Sequence, residues 1–165
     1  MIRAIKSLVR GAQPGDSLFL HFSGHGITGI IDKTGDESDG FDEAIMLLDG
    51  VIVDDYLFEI LVHPLPPFCR LSVLMDCCHS GTALDLPMVY DPFSGNFLRN
   101  EARQPKCDVV CISAANDGQI AGDQELEDGK VSGILTEAFQ RAVQCSKLLT
   151  LKELFEHTSH TVRME

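Results

Sequence analysis

A cysteine and a histidine, each placed just after an apolar run of strand length, are the residues of this sequence best suited to chemistry. The run 71–76 ends in Asp76 and is followed by Cys78, and the run 17–22 is followed by His25. Buried strands carry side chains in this way to the rim of a sheet. A thiolate is a nucleophile, and a nearby imidazole can deprotonate it and later protonate a leaving amine. The pair indicates a hydrolase with a cysteine nucleophile.

The neighbouring cysteine and histidines are better explained by packing. Cys77 should point into the core if Cys78 points outward, because side chains alternate along an extended chain. His79 projects away from Cys78 for the same reason and is a poor base, and His21 is typical of a core histidine with a satisfied hydrogen bond. A zinc site made of residues 77–79 is disfavoured, since consecutive residues do not converge easily on one ion. A lone cysteine after a strand is usually a packing residue, but here a second strand-end motif accompanies it.

The elements that would position this pair predict an α/β fold. A helix over residues 2–9 leads into the strand 17–22, and a near-continuous apolar strand after a helix favours a parallel sheet covered on both faces. If the two strands are adjacent, their carboxyl ends lie side by side, where α/β sheets usually build active sites. The backbone N–H groups of Gly26 and Cys78 would then form an oxyanion hole. A third buried strand is predicted at 107–113.

The segment between the two motifs is rich in acids. Residues 27–43 are predicted to form a long loop, which lacks the EF-hand spacing with its glycine at the sixth position. Residues 44–53 predict a β-hairpin that turns at Asp49-Gly50. Asp54 and Asp55 then precede a helix over 56–62, and a helix N-cap role accounts for one of them but not obviously for both.

The composition is that of one ordinary globular domain spanning 1–165. The chain has 165 residues, 44% hydrophobic and 23% charged, with a formal net charge of −12. This acidic balance argues against nucleic-acid binding, which needs a basic face, and is better suited to a metal ion or a polypeptide rich in Lys and Arg. No signal peptide or membrane-spanning run is predicted, and none of the six cysteines has C-x-x-C spacing. These features predict reduced thiols, a cytoplasmic or nuclear location and a monomer.

The motifs at residues 23–26 (SGHG) and 76–81 (DCCHSG) resemble the metacaspases, the caspase-like cysteine peptidases of plants, fungi and protists, and most closely their type I subgroup. A histidine 53 positions before the cysteine fits the caspase-type layout and excludes the papain-like order. The resemblance implies a caspase-like three-layer sandwich: a mostly parallel central sheet, flanking helices and a small hairpin insert. It also implies a cysteine endopeptidase with His25 and Cys78 as its catalytic dyad.

The resemblance further implies cleavage after Arg or Lys, with Ser23 and Asp76 lining the pocket for the residue before the scissile bond. A carboxylate in that pocket would attract a guanidinium or ammonium group and repel an aspartate. Self-cleavage in the family occurs after basic residues. The candidates in the polar segment up to residue 106 are Arg99, Arg103 and Lys106.

Activation by Ca²⁺ is also typical of the family. Its calcium-binding aspartates correspond here to Asp42, Asp54, Asp55 and Asp85. Four carboxylates from separate segments suit a hard cation that needs oxygen ligands. Loop solvation together with helix capping is the alternative explanation for these acids.

Two parts of the family's domain are expected to be missing: a strand and a pocket acid before the first helix, and a strand after the last one. Loss of neighbouring strands would expose sheet edges. The alternative to a peptidase is therefore a catalytically inactive caspase-like fragment that binds or regulates partners.

Overall fold

The structure is a computed structural model, and it describes residues 1–34, 40–81, 83–91, 96–99, 103–115, 121–125, 131–145 and 150–164. The helices are α1 (Ile2–Val9), α2 (Asp54–Leu61), α3 (Ile134–Cys145) and α4 (Leu151–Met164). The strands are β1 (Ser17–Ser23), β2 (His25–Ile31), β3 (Phe41–Leu47), β4 (Gly50–Val53), β5 (Arg70–Asp76), β6 (Met88–Asp91), β7 (Asn96–Arg99), β8 (Asp108–Ser113), β9 (Asp123–Glu125) and β10 (Val131–Gly133).

The central sheet is parallel, with strand order β1-β5-β8. Leu20 and Phe22 of β1 alternate with exposed neighbours, and they join the odd-numbered residues of β5 in one apolar cluster. Ile5 of α1 and Leu57 of α2 belong to the same cluster. Both helices therefore cover one face of the sheet, as the period of two along a strand requires.

The opposite face of the sheet is covered by α3. Phe19 of β1 stacks on Phe139, with 6.0 Å between ring centroids, and His21 lies 3.1 Å from the hydroxyl of Thr136. Helix α4 packs against α3. The layers α1/α2, sheet and α3/α4 form the predicted α/β three-layer sandwich, so the fold prediction is confirmed.

A second sheet, antiparallel and ordered β2-β3-β4, takes up residues 27–31 and 41–43 at the two ends of the predicted loop 27–43. The loop prediction was wrong because the extended pattern of β2 is interrupted: the pairing with β3 shifts between Ile27 and Ile30, where Gly29 adopts φ +87. Such a glycine-assisted bulge breaks the regular alternation by which a strand is recognised. The hairpin prediction holds, but Leu47 pairs with Gly50, which moves the turn one residue back to 48–49.

Residues 88–91 and 96–99 also hold more structure than the sequence suggested. Strands β6 and β7 form a hairpin, and Tyr90 contacts the ring of Phe155 in α4 at 4.6 Å between centroids. Before α4, Thr150 and Glu153 exchange the backbone hydrogen bonds of a capping box. Among the helices that the structure describes, none is long and apolar enough to cross a membrane.

Candidate active site

The two strand-end motifs lie side by side. Strands β1 and β5 pair in parallel, and the last residues in register are Ser23 and Asp76. Just beyond them the N–H of Gly24 donates to the carbonyl of Asp76 at 3.1 Å. His25 and Cys78 each follow two residues after this register pair, which is the juxtaposition that the sequence predicts.

Gly26 is in direct contact with the backbone of the candidate nucleophile. A Cβ atom at this position would overlap the carbonyl oxygen of Cys78. No other residue type fits there without moving the segment that carries the thiol. Within the SGHG motif, the glycine at position 26 is therefore required by sterics, whereas His25 is the residue suited to chemistry.

The Cys78 thiol is half-buried and is held by a backbone group. The N–H of Ala121 donates to its Sγ at 3.3 Å, and the Ala121 carbonyl lies 4.0 Å from the same sulfur. His25 is exposed at the start of β2. Within the described ranges no hydrogen bond joins its ring to Sγ, and such bonds often tighten only in the substrate complex. Sequence reasoning missed Ala121, because a backbone contact 43 residues away leaves no side-chain signal.

The neighbouring Cys77 points the other way, as predicted. Its side chain is 1% exposed and belongs to the core cluster shared with α1 and α2. Burial raises the pKa of this thiol to about 11. The buried hydroxyl of Ser80 donates to the Cys77 carbonyl at 2.9 Å and fixes the turn that follows. Of the two adjacent thiols, Cys78 is the one placed for chemistry.

Asp76 lies beneath this rim, and its carboxylate is 4% exposed. One carboxylate oxygen accepts hydrogen bonds from the backbone N–H of Thr136, at 2.7 Å, and from the Thr136 hydroxyl. Because that hydroxyl donates to Asp76, it accepts from His21 Nε2 at 3.1 Å. Gly133 has no room for a Cβ beside the same carboxylate. In this conformation Asp76 anchors the first turn of α3, so recognition of a substrate cation through it stays a prediction; Ser23 next to it is exposed.

Three of the four aspartates expected to bind calcium converge. Asp54, Asp55 and Asp85 each place an oxygen within 4.8 Å of the others. Asp54 and Asp85 are buried, at 3% and 5% exposure. Asp42 is buried nearby and contributes to the electrostatics of Asp54, but it lies outside this group of three. Asp54, Asp55 and Asp85 together form an acid cluster.

Helix capping does not account for the acid cluster. The N-cap residue of α2 is Val53, and both aspartates lie inside the first turn. Asp54 accepts the N–H of Glu43 at 2.9 Å and that of Asp55 at 2.8 Å. Burial, helped by the charges of Asp85 and Asp42, nevertheless raises the pKa of Asp54 to about 7. The close approach of these buried carboxylates is therefore electrostatically unfavourable.

The candidate self-cleavage residues differ in their surroundings. Arg99 on β7 and Lys106 are exposed. Arg103 instead forms an ion pair with Asp55 of the acid cluster. This contact joins residues 48 apart in the chain, and no local pattern could have predicted it.

The family model for "Metacaspase, peptidase C14 domain" matches residues 1–87, just over half of the chain. Metacaspase-1 of Scheffersomyces stipitis is 55% identical, over 84% of this chain and 47% of its own length. Metacaspase-1 of Mycosarcoma maydis is 36% identical, over 93% of this chain and 50% of its own. The chain thus spans about half the length of these relatives.

Among solved structures, a crystal structure of a Geobacter sulfurreducens protein superposes with a TM-score of 0.69. It covers 96% of this chain and 66% of its own, at 23% sequence identity, which bears on the fold alone. The family model matches the segment that carries both strand-end motifs and the acid cluster. The chain belongs to the metacaspase family.

Proposed function

We propose that this protein is a cysteine endopeptidase that cleaves peptide bonds after Arg or Lys. Cys78 attacks the scissile carbonyl carbon, and His25 takes the thiol proton and passes it to the leaving amine. Backbone N–H groups of Gly26 and Cys78 stabilise the oxyanion of the tetrahedral intermediate. Water then hydrolyses the acyl-enzyme with His25 as the general base.

One observation carries the proposal: the backbone of Gly26 packs on that of Cys78, so the residues next to it are held at one rim of the sheet. Packing accounts for the glycine, but it does not require a histidine and a half-buried thiol at the ends of paired strands. Membership of a peptidase family supports the same chemistry. The exposed ring of His25 leaves it free to turn toward a bound substrate.

The preference for Arg or Lys rests on charge. Ser23 and Asp76 end adjacent strands beside the nucleophile, and the net charge of −12 favours basic polypeptides. One oxygen of Asp76 is already bonded to Thr136. A substrate guanidinium or ammonium group would engage the other oxygen, and the contact with Gly133 must loosen to admit it.

Calcium is proposed as the activator, with the acid cluster as its site. Three carboxylates within 4.8 Å fit a hard cation that takes oxygen ligands. Asp42 adds negative charge nearby. A bound Ca²⁺ would supply the positive charge that offsets repulsion among these acids. A small cavity of about 10 Å³ is lined by Asp54 of the cluster and by Cys77 and His79, the two neighbours of Cys78.

Self-processing is proposed to occur in the segment 99–106. Arg99 and Lys106 are exposed, as a peptidase would require of its own cleavage sites. Arg103 is also a basic residue after which cleavage is expected, but its side chain is half-buried against α2.

The decisive test uses fluorogenic peptides ending in Arg, Lys or Asp, with calcium or chelator and with Cys78→Ala as the control. We expect cleavage after Arg and Lys, loss of activity by at least about 10³-fold in Cys78→Ala, and stimulation by calcium. No cleavage by a folded sample would overturn the enzyme assignment. Preference for Asp would overturn the role of Asp76, and equal rates in chelator would overturn calcium activation.

A binding or regulatory role without catalysis is the second candidate. It is favoured by the hydrogen bonds that tie Cys78 to Ala121 and Asp76 to Thr136, which leave both groups engaged. Binding of basic peptides by a sample that cleaves none of them would support this alternative.

A further inference from the structure

Arg103 makes an unusual set of contacts with the start of α2. Its guanidinium pairs with Asp55 Oδ1, and a second nitrogen donates to the Asp55 backbone carbonyl at 3.3 Å. The group also lies 5.5 Å from the ring centroid of Phe58 and 3.9 Å from a carboxylate oxygen of Glu59. The side chain is therefore held by an ion pair, a carbonyl and an aromatic face together.

This ion pair is less exposed than the surface pair Lys152–Glu156 of the same protein. The side chains of Arg103 and Asp55 are 25% and 21% exposed. For the pair Lys152–Glu156 the exposures are 80% and 57%. Partial burial makes a charge pair stronger and less sensitive to salt than an exposed one. Arg103 is thus a neutralising charge for Asp55 of the acid cluster rather than an incidental surface contact.

Arg103 and a divalent cation would compete for Asp55. Asp55 is one of the three converging carboxylates, and the guanidinium occupies one of its oxygens. A metal ion bound to the cluster would lie within a few ångströms of the guanidinium, where two positive charges repel each other strongly. The two cations therefore exclude or weaken one another.

We propose that Arg103 is an intramolecular competitor at the acid cluster: it neutralises Asp55 in the metal-free protein, and metal binding releases it. This inference rests on the proposed calcium site. The calcium affinity of this site then depends on a residue outside it, and metal binding releases Arg103. Because Arg103 is one of the basic residues in the segment 99–106, its release makes its side chain more accessible to a peptidase in the metal-bound state.

The first test measures calcium binding by titration calorimetry in the Cys78→Ala protein, so peptidase activity plays no part. Arg103→Gln is compared with Arg99→Gln, which removes the same charge from an exposed position that forms no ion pair with any described residue. We expect Arg103→Gln to tighten calcium binding about three- to tenfold and Arg99→Gln to change it less than twofold. Weaker or equal binding by Arg103→Gln would overturn the competition. Failure of every variant to bind calcium would overturn the site itself and the competition with it.

The second test keeps Arg103 in place and therefore does not depend on the folding of a variant. Limited trypsin digestion of the Cys78→Ala protein is followed by mass spectrometry, with magnesium as the control cation. We expect calcium to accelerate cleavage after Arg103 at least about fivefold more than cleavage after Arg99. Equal acceleration at both positions, or none at Arg103 in a protein that binds calcium, would overturn the release.

Discussion

The strand-end pair, Cys78 and His25, and the acid cluster are held in place by different physical effects. Cys78 and His25 follow paired strands of a parallel sheet, and the contact that fixes them is between backbones, at Gly26. The acid cluster instead assembles carboxylates from α2 and from the loop at Asp85, and burial there raises the pKa of Asp54 to about 7. The first site is held in place by packing, whereas the second is held against electrostatic repulsion.

This difference implies two kinds of response. The geometry of a site held by backbone packing is disturbed by added side-chain volume, and it changes little with pH or ion concentration. A site held against repulsion is disturbed by changes of charge and is stabilised by any cation that enters it. The loop from Cys78 to Asp85 connects the two, and it contains non-glycine residues with positive φ at His79 and Asp85.

The largest expected effect is the difference in reactivity between the adjacent thiols. Burial raises the pKa of Cys77 to about 11, so about one molecule in a thousand carries its thiolate at pH 8. We expect alkylation by iodoacetamide at pH 8 to be at least about 10²-fold faster at Cys78, since Cys77 is also the less exposed of the two thiols. Mass spectrometry of the tryptic peptide 71–99, in Cys77→Ala and Cys78→Ala proteins, measures each thiol alone. Rates within tenfold of one another would contradict the packing contrast.

The next effect concerns added volume at the backbone contact. A methyl group at position 26 would meet the Cys78 carbonyl, so Gly26→Ala should lower kcat/KM about 10²-fold by displacing the nucleophile. Gly29→Ala is the matched control: it has φ +87 and no atom within 4 Å of the added methyl group. It should reduce the free energy of unfolding by about 1–2 kcal/mol and leave activity nearly unchanged. Equal activities would show that the contact does not position Cys78.

The strand-end pair could be predicted from the sequence because its signals are local. Apolar runs of strand length with reactive residues at their ends need no distant information, and the pairing of β1 with β5 meets the condition of adjacency on which the prediction depended. The partners of those residues were not predictable in the same way. Thr136 reaches Asp76 across 60 positions, and its hydroxyl resembles that of any threonine in a first helical turn.

The acid cluster was less predictable. The positions of its aspartates came from a family resemblance, and the local explanation by helix capping was wrong because α2 begins at Asp54 rather than after it. Strand β2 was missed where Gly29 interrupts its pattern. Repulsion, burial and the contact with Arg103 depend on three-dimensional proximity, so they have no counterpart in residue spacing.

The third prediction uses the raised pKa of Asp54. An acid whose pKa rises on folding favours the folded state at low pH and disfavours it as pH increases toward the folded value, here about 7. In chelator, the free energy of unfolding should fall between pH 4.5 and 6.5 by on the order of 2 kcal/mol relative to Asp54→Asn, since one pKa unit is worth about 1.4 kcal/mol. Urea unfolding at both pH values measures this difference. A wild-type slope equal to that of Asp54→Asn would contradict the prediction.

The smallest expected effect is that of Asp85→Asn. This substitution removes the charge of the side chain and should leave the backbone conformation unchanged. Asparagine tolerates positive φ as well as aspartate does, so the backbone at φ 44 should be retained. Loss of one of three converging charges should weaken calcium binding by the Cys78→Ala protein about tenfold. Asp49→Asn, in the exposed turn between β3 and β4, is the control and should leave the Kd unchanged.

When no metal is present, Asp85→Asn should increase the stability of the folded protein, although it weakens calcium binding. The charge of Asp85 contributes to the raised pKa of Asp54, so its removal lowers that pKa and relieves repulsion in the folded protein. Asp85→Asn should therefore unfold at a higher urea concentration than wild type in chelator at pH 7.5, and gain less stability from calcium. Destabilisation in both conditions would mean that Asp85 acts through packing, as the strand-end residues do, and the contrast between the two sites would not hold.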